Sequence, residues 1–95
     1  MLIIFLAIFV AVSPEKRCAE YGVNYAGHDI EIVPNIQHWM DCAISCQGNI
    51  IPRGCDSWTW NFSNKNCYLK SSDEGRRIDS KPVQISGRWF CTSEC

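Results

Sequence analysis

The chain has 95 residues, with nine Lys or Arg against ten Asp or Glu, a formal net charge of -1 and seven cysteines. That length holds one small domain with a limited core. The near-balanced charge excludes bulk electrostatic attraction to nucleic acid or to an anionic membrane, so any charged recognition has to be local.

Residues 1–13, MLIIFLAIFVAVS, are uncharged and almost wholly apolar, and the text then changes abruptly to PEKRCAEYG. This reads as a secretory signal peptide ahead of a single domain over residues 14–95. The run from Leu2 to Val12 falls short of the about 20 apolar residues that span a bilayer, so no membrane span is expected in the mature chain. Two features are atypical of a leader: no basic residue precedes the apolar run, and a cut after Ser13 would leave Pro14 at the new terminus. The expected location is secreted or extracellular.

Export decides how the cysteines at 18, 42, 46, 55, 67, 91 and 95 are read, because thiols in the secretory pathway are oxidised to disulfides. A zinc site would use CxxC pairs or paired histidines, and a redox thiol a CxxC or a His-paired cysteine. The cysteines lack that spacing, and His28 and His38 stand apart. Disulfide staples are the expectation, with no metal and no cofactor.

After the leader, CAEYGVNYAGHDIEIVP reads as short β-prone pieces broken by Gly22 and Gly27, followed by Asn35 as the N-cap of a helix. In that helix Trp39, Cys42, Ala43 and Cys46 fall at i, i+3, i+4 and i+7 and share one face, while Gln37, Asp41 and Ser45 form a polar row. Gly48 is the expected stop. Next, CDSWTWNFSNKNCYLK reads as a hairpin that turns at SNKN, with Trp58, Trp60 and Phe62 on one face, away from Cys55, Ser57 and Thr59, and with Tyr68 and Leu69 on the returning strand. A polar loop, SSDEGRRIDSKP, leads to a last strand, VQISGRWF, which carries Gly87. Together these make one amphipathic helix against a small antiparallel sheet.

The succession GVNYAGHDI, a helix with CAISC, then GCDSWTW, CYLKSS and ISG resembles the PAN or apple domain. That module is found at the start of plasminogen and hepatocyte growth factor, in repeats in blood-clotting zymogens, and in apicomplexan microneme proteins. The resemblance covers roughly residues 18–91 and rests on several motifs in order. It implies the α+β class: a small disulfide-rich fold with one α-helix cradled by a curved antiparallel β-sheet. It further implies bonds Cys42 to Cys67 and Cys46 to Cys55, with Cys18 closing on Cys91 or, as the alternative, Cys95. Cysteine counting alone does not choose among the connectivities, and the seventh cysteine is left for an intermolecular bond, such as a disulfide-linked dimer, or for a partner elsewhere.

The resemblance implies a non-enzymatic module that binds protein or carbohydrate, including sulfated glycans. The sequence itself displays no nucleophile elbow, phosphate loop or paired-carboxylate cleft, so no catalytic residue is expected. Three local features are candidates for binding. Lys70, Arg76, Arg77, Arg53 and Arg88 could meet sulfate or carboxylate groups, against the plainer reading of a solvated loop whose charge Asp73 and Glu74 offset. Tyr21, Tyr25, Trp39, Trp58, Trp60 and Trp89 could stack on a sugar, although Trp39, Trp58 and Trp60 sit on the expected buried faces. Asn61, in the sequon Asn61-Phe62-Ser63, is an expected glycosylation acceptor near the hairpin turn. The functional expectation is a secreted recognition module. The alternative is a structural part of a larger secreted or surface complex, joined to it through the odd cysteine.

Overall fold

The computed structural model describes residues 18–79 and 83–91; the expected leader over 1–13 and Cys95 lie outside them. Among these residues one helix, α1 (Trp39–Gln47), packs on an antiparallel sheet. The sheet has five strands in the order β1 (Glu20–Tyr21), β7 (Gln84–Arg88), β4 (Ser57–Asn61), β5 (Cys67–Lys70), β3 (Asp29–Val33). A separate two-stranded ribbon joins β2 (Val23–Tyr25) to β6 (Arg76–Ile78).

Helix α1 buries Trp39, Cys42, Ala43 and Cys46, the face that the apolar spacing predicts. Its start differs from the expectation. The N-cap is His38, extended at φ -143° and ψ 143°, whose Nδ1 accepts the Met40 N–H at 3.1 Å. The first helical turn always leaves N–H groups without intrahelical partners, and the imidazole nitrogen satisfies one of them. Asn35 instead turns the chain at φ 59°, a left-handed conformation that asparagine tolerates. The helix stops at Gly48, whose N–H bonds Ile44 O at 3.0 Å.

Two disulfides fasten this helix. Cys42 bonds Cys67 at the start of β5, and Cys46 bonds Cys55 just before β4; Cys55, expected on the face away from the tryptophans, precedes the regular strand and joins their core cluster instead. One helical turn of sulfur spacing therefore ties a single element to two separate segments. Cys91 is fully buried in the core cluster, and Cys18 packs against the same cluster.

The two faces of β4 are buried for different reasons. Trp58 and Trp60 point to the helix, where Trp58 stacks on Trp39 with ring centroids 5.7 Å apart and planes 8° from parallel. Both indoles have acceptors: Trp58 Nε1 donates to Arg88 O at 3.1 Å and Trp60 Nε1 to Ile36 O at 2.7 Å. Gly87 lies against the Trp58 ring, and a Cβ there would sit 2.7 Å from Trp58 Cζ2. Phe62, expected on the same face, lies beyond β4 and is exposed, with its ring meeting Trp60 edge-on at 5.6 Å.

On the opposite face, Ser57 and Thr59 are also buried, and Thr59 meets β2. Ser86 Oγ donates to Val23 O at 2.6 Å, so its bond to Thr59 Oγ1 at 2.7 Å must be accepted, with Thr59 as donor. Thr59 Oγ1 in turn accepts from Tyr25 N at 3.3 Å. The relay starts and ends on β2 and satisfies the Thr59 and Ser86 hydroxyls, whereas Ser57 Oγ on the same face is buried with no hydrogen-bond partner among the described residues. The β6 strand falls inside the expected loop. All three of its residues are exposed, so it carries no apolar alternation and is held by backbone pairing with β2 and by the Arg76 guanidinium on Glu20 of β1. Gly75 makes the approach possible: its φ is 89°, and a Cβ there would lie 2.4 Å from Ala26 O. Among the described residues no helix is long and apolar enough to cross a membrane.

Candidate polar recognition pocket

Alternation along the strands places Asn61, Tyr68, Lys70 and Gln84 on the face away from α1, since Trp58, Trp60 and Leu69 occupy the other. The register sets Asn61 opposite Gln84, and Lys70 opposite both Ser57 and Asp29. These residues, with Asn24, Ala26 and Gly27 from β2 and the turn after it, line an open pocket of about 210 Å³.

The hydrogen bonds already made inside this pocket determine what it has left to offer. Lys70 is only 3% exposed, and its ammonium donates to Gly27 O at 3.0 Å and pairs with Asp29 Oδ1. That consumes two of three N–H groups. Asn61 Oδ1 accepts the backbone N–H groups of Ser63 at 2.8 Å and Asn64 at 3.0 Å, an Asx turn that leaves the amide NH₂ uncommitted. The Tyr68 hydroxyl accepts from Asn64 Nδ2 at 3.2 Å and Asn66 Nδ2 at 3.4 Å, leaving its own proton to donate. Gln84 Nε2 donates to Asp79 Oδ2 at 2.8 Å, leaving Oε1 to accept.

A second concavity, of about 390 Å³, lies near the start of α1 and is lined by Tyr21, Gln37, His38, Trp39, Trp60, Phe62 and Ile85. It gathers three of the aromatic candidates, but Trp39 and Trp60 are each 3% exposed and show it little ring surface. Lys65 Nζ stands 4.2 Å from the Phe62 ring centroid at its margin. Tyr25 is buried, and Trp89 is partly exposed and packs edge-on against Phe90 at 5.4 Å.

The basic candidates are dispersed and mostly compensated. Arg53 pairs with Glu31, Arg76 with Glu20 at 2.8 Å, and Arg88 with both Asp56 at 3.5 Å and Asp73 at 3.3 Å. Arg77 is exposed and has no ion pair among the described residues. Lys70 alone of the five lines the polar pocket.

Burial, and then its bond to Glu20 Oε1 at 2.9 Å, push the Tyr25 hydroxyl well above the usual tyrosine range. The bond to Glu20 likewise raises Arg76. Because folded Tyr25 keeps its proton after an unfolded tyrosine has lost it, the linkage has a definite sign. Its contribution to stability is complete below about pH 10 and is lost as pH rises beyond that. Chemical unfolding at stepped alkaline pH should show wild-type stability falling more steeply than that of Tyr25→Phe. Parallel slopes would contradict the assignment.

A stapled helix on a curved antiparallel sheet defines a small disulfide-rich α+β module. The family model for the PAN domain matches residues 15–94, and the chain belongs to that family. No curated protein matches it significantly. PAN domains often mediate protein or carbohydrate interactions and are generally non-catalytic. Among the described residues no group of three or more His, Cys, Asp or Glu side chains could hold a metal ion.

Proposed function

We propose that the protein is a secreted, non-enzymatic recognition module that binds extracellular carbohydrate or protein. One observation carries this reading: the polar pocket collects side chains from β3, β4, β5 and β7 whose hydrogen-bonding capacity is only partly used. Uncommitted donors and acceptors held on strands rather than on free loops are pre-organised for a ligand, and pre-organisation lowers the entropic cost of binding. The odd number of cysteines supports a second role in assembly. Two bridges use four of the seven, and the other three can make only one bond among themselves. A disulfide-linked dimer would make a weak site bivalent and raise its avidity.

Asn61 is the acceptor proposed for N-glycosylation, and Arg77 with Arg76 the basic pair proposed for a sulfated ligand. The test is an array of neutral, sialylated and sulfated glycans, together with extracellular matrix proteins. It is probed with oxidised, secreted protein displayed multivalently. Selective binding to a glycan or a protein is the expected result. Loss of sulfated-glycan binding in an Arg76→Ala, Arg77→Ala double variant would place that interaction on β6. No binding to any glycan or protein, by protein whose mass shows its disulfides intact, would overturn the recognition role.

A further inference from the structure

We infer that the pocket between β2 and the sheet face away from α1 binds a single uncharged pyranose ring. The inference rests on the recognition role proposed above and assigns it a site. Three properties of the pocket select this ligand class. Its uncommitted groups are of both kinds: donors from the Asn61 amide, the Tyr68 hydroxyl and the third Lys70 N–H, and an acceptor at Gln84 Oε1, with the second Asp29 oxygen as another. Sugar hydroxyls both donate and accept, so they match such a mixed set, whereas a sulfate group only accepts.

The pocket's charge points the same way. Lys70 is neutralised by its contact with Asp29, and Asp29 would repel an anion entering from its side. An anionic ligand would find a better field at exposed Arg77, outside this pocket. Size supplies the third constraint: about 210 Å³ is below the ordinary volume of drug-sized sites, and suits one ring rather than an oligosaccharide chain.

The sequon intersects this site. Asn61 Nδ2 is at once a pocket donor and the atom that N-glycosylation would modify, so a glycan there would remove one of the groups the ligand needs. The test is therefore run on Ser63→Ala protein, which keeps Asn61 and destroys the sequon. Ser63 contributes only its backbone N–H to the Asx turn, which alanine preserves.

Calorimetric titration with methyl glucoside, galactoside, mannoside and N-acetylglucosaminide, and with a sulfated disaccharide for contrast, gives the readout. At least one neutral pyranoside is expected to bind, with the same affinity at low and high salt because no net charge is being paired. Tyr68→Phe and Gln84→Ala, each made on that background, should weaken binding by roughly tenfold or more, since each leaves a ligand hydroxyl facing a lost partner. Tyr68→Phe removes one oxygen from a half-buried ring, and an unchanged thermal midpoint would show the fold retained. Saccharide binding that both variants leave intact would overturn the pocket assignment while the recognition role stood. Binding that requires sulfate or collapses with salt would overturn the neutral ligand class. Absence of binding to every pyranoside would overturn the site. Only a silent array and silent matrix proteins would also overturn the recognition role.

Discussion

Cys42→Ser protein is expected to be retained by the secreting cell or, if released, to be cut rapidly by trypsin. Cys42 is fully buried, and its bond to Cys67 closes 25 residues of chain, against 9 for Cys46 to Cys55. In the chain-entropy account these loops correspond to about 3.5 and about 2.6 kcal/mol of stabilisation. A small domain has a total stability of only about 5–15 kcal/mol, so losing the Cys42–Cys67 bridge removes a substantial share of it. The substitution also strands the Cys67 thiol in the core, where it can form wrong pairs during oxidation. Cys46→Ser should be the milder lesion of the two. A well-secreted, trypsin-resistant Cys42→Ser protein would contradict this, as would a reversal of the order between the two variants.

Trp58→Ala should lower stability by about 3–5 kcal/mol, the range for truncating a large buried aromatic. The side chain is 0% exposed, stacks on Trp39, donates to Arg88 O and fills the space that Gly87 leaves open. Its loss therefore opens a cavity between helix and sheet and removes one of the two hydrogen bonds that Arg88 O accepts, the other coming from Cys91 N. Ile51→Ala is the control: that side chain is 83% exposed, and its truncation should stay within about 0.5 kcal/mol of wild type. Urea unfolding of the three proteins measures the contrast. Equal midpoints for Trp58→Ala and Ile51→Ala would remove Trp58 from the centre of the core.

The buried helix face was legible because it depends on local spacing. Trp39, Cys42, Ala43 and Cys46 recur with the helical period, so one short window contains the whole signal. The alternation of Trp58 and Trp60 with Ser57 and Thr59 was readable for the same reason. The true N-cap was not, because His38 is outside the usual set of capping residues and caps through a ring nitrogen. Strand β6 also escaped reading: Arg76, Arg77 and Ile78 are all exposed, and what makes them a strand is pairing with residues about fifty positions earlier.

The candidate site was the least visible part, for a related reason. The basic residues and the offsetting role of Asp73 were identifiable, but the other partners that compensate them, Glu20, Glu31, Asp29 and Asp56, come from separate parts of the chain. Asp29, Asn61, Tyr68, Lys70 and Gln84 sit on four strands and meet only once register is set. Asn61 stood out as a sequon, and its position in the pocket follows from its pairing with Gln84 on β7.

Recognition of a neutral sugar at this polar pocket, rather than at the dispersed arginines or in the aromatic cleft, has one most direct test. It is a proton–nitrogen correlation spectrum of isotopically labelled, oxidised Ser63→Ala protein, recorded as a methyl pyranoside is added. Progressive shifts are expected, confined to the side-chain amides of Asn61 and Gln84 and to the backbone of β2, β4, β5 and β7 around them. Shifts centred on Arg77, or on Trp39 and Trp60 in the cleft beside α1, would contradict the pocket as the site of recognition.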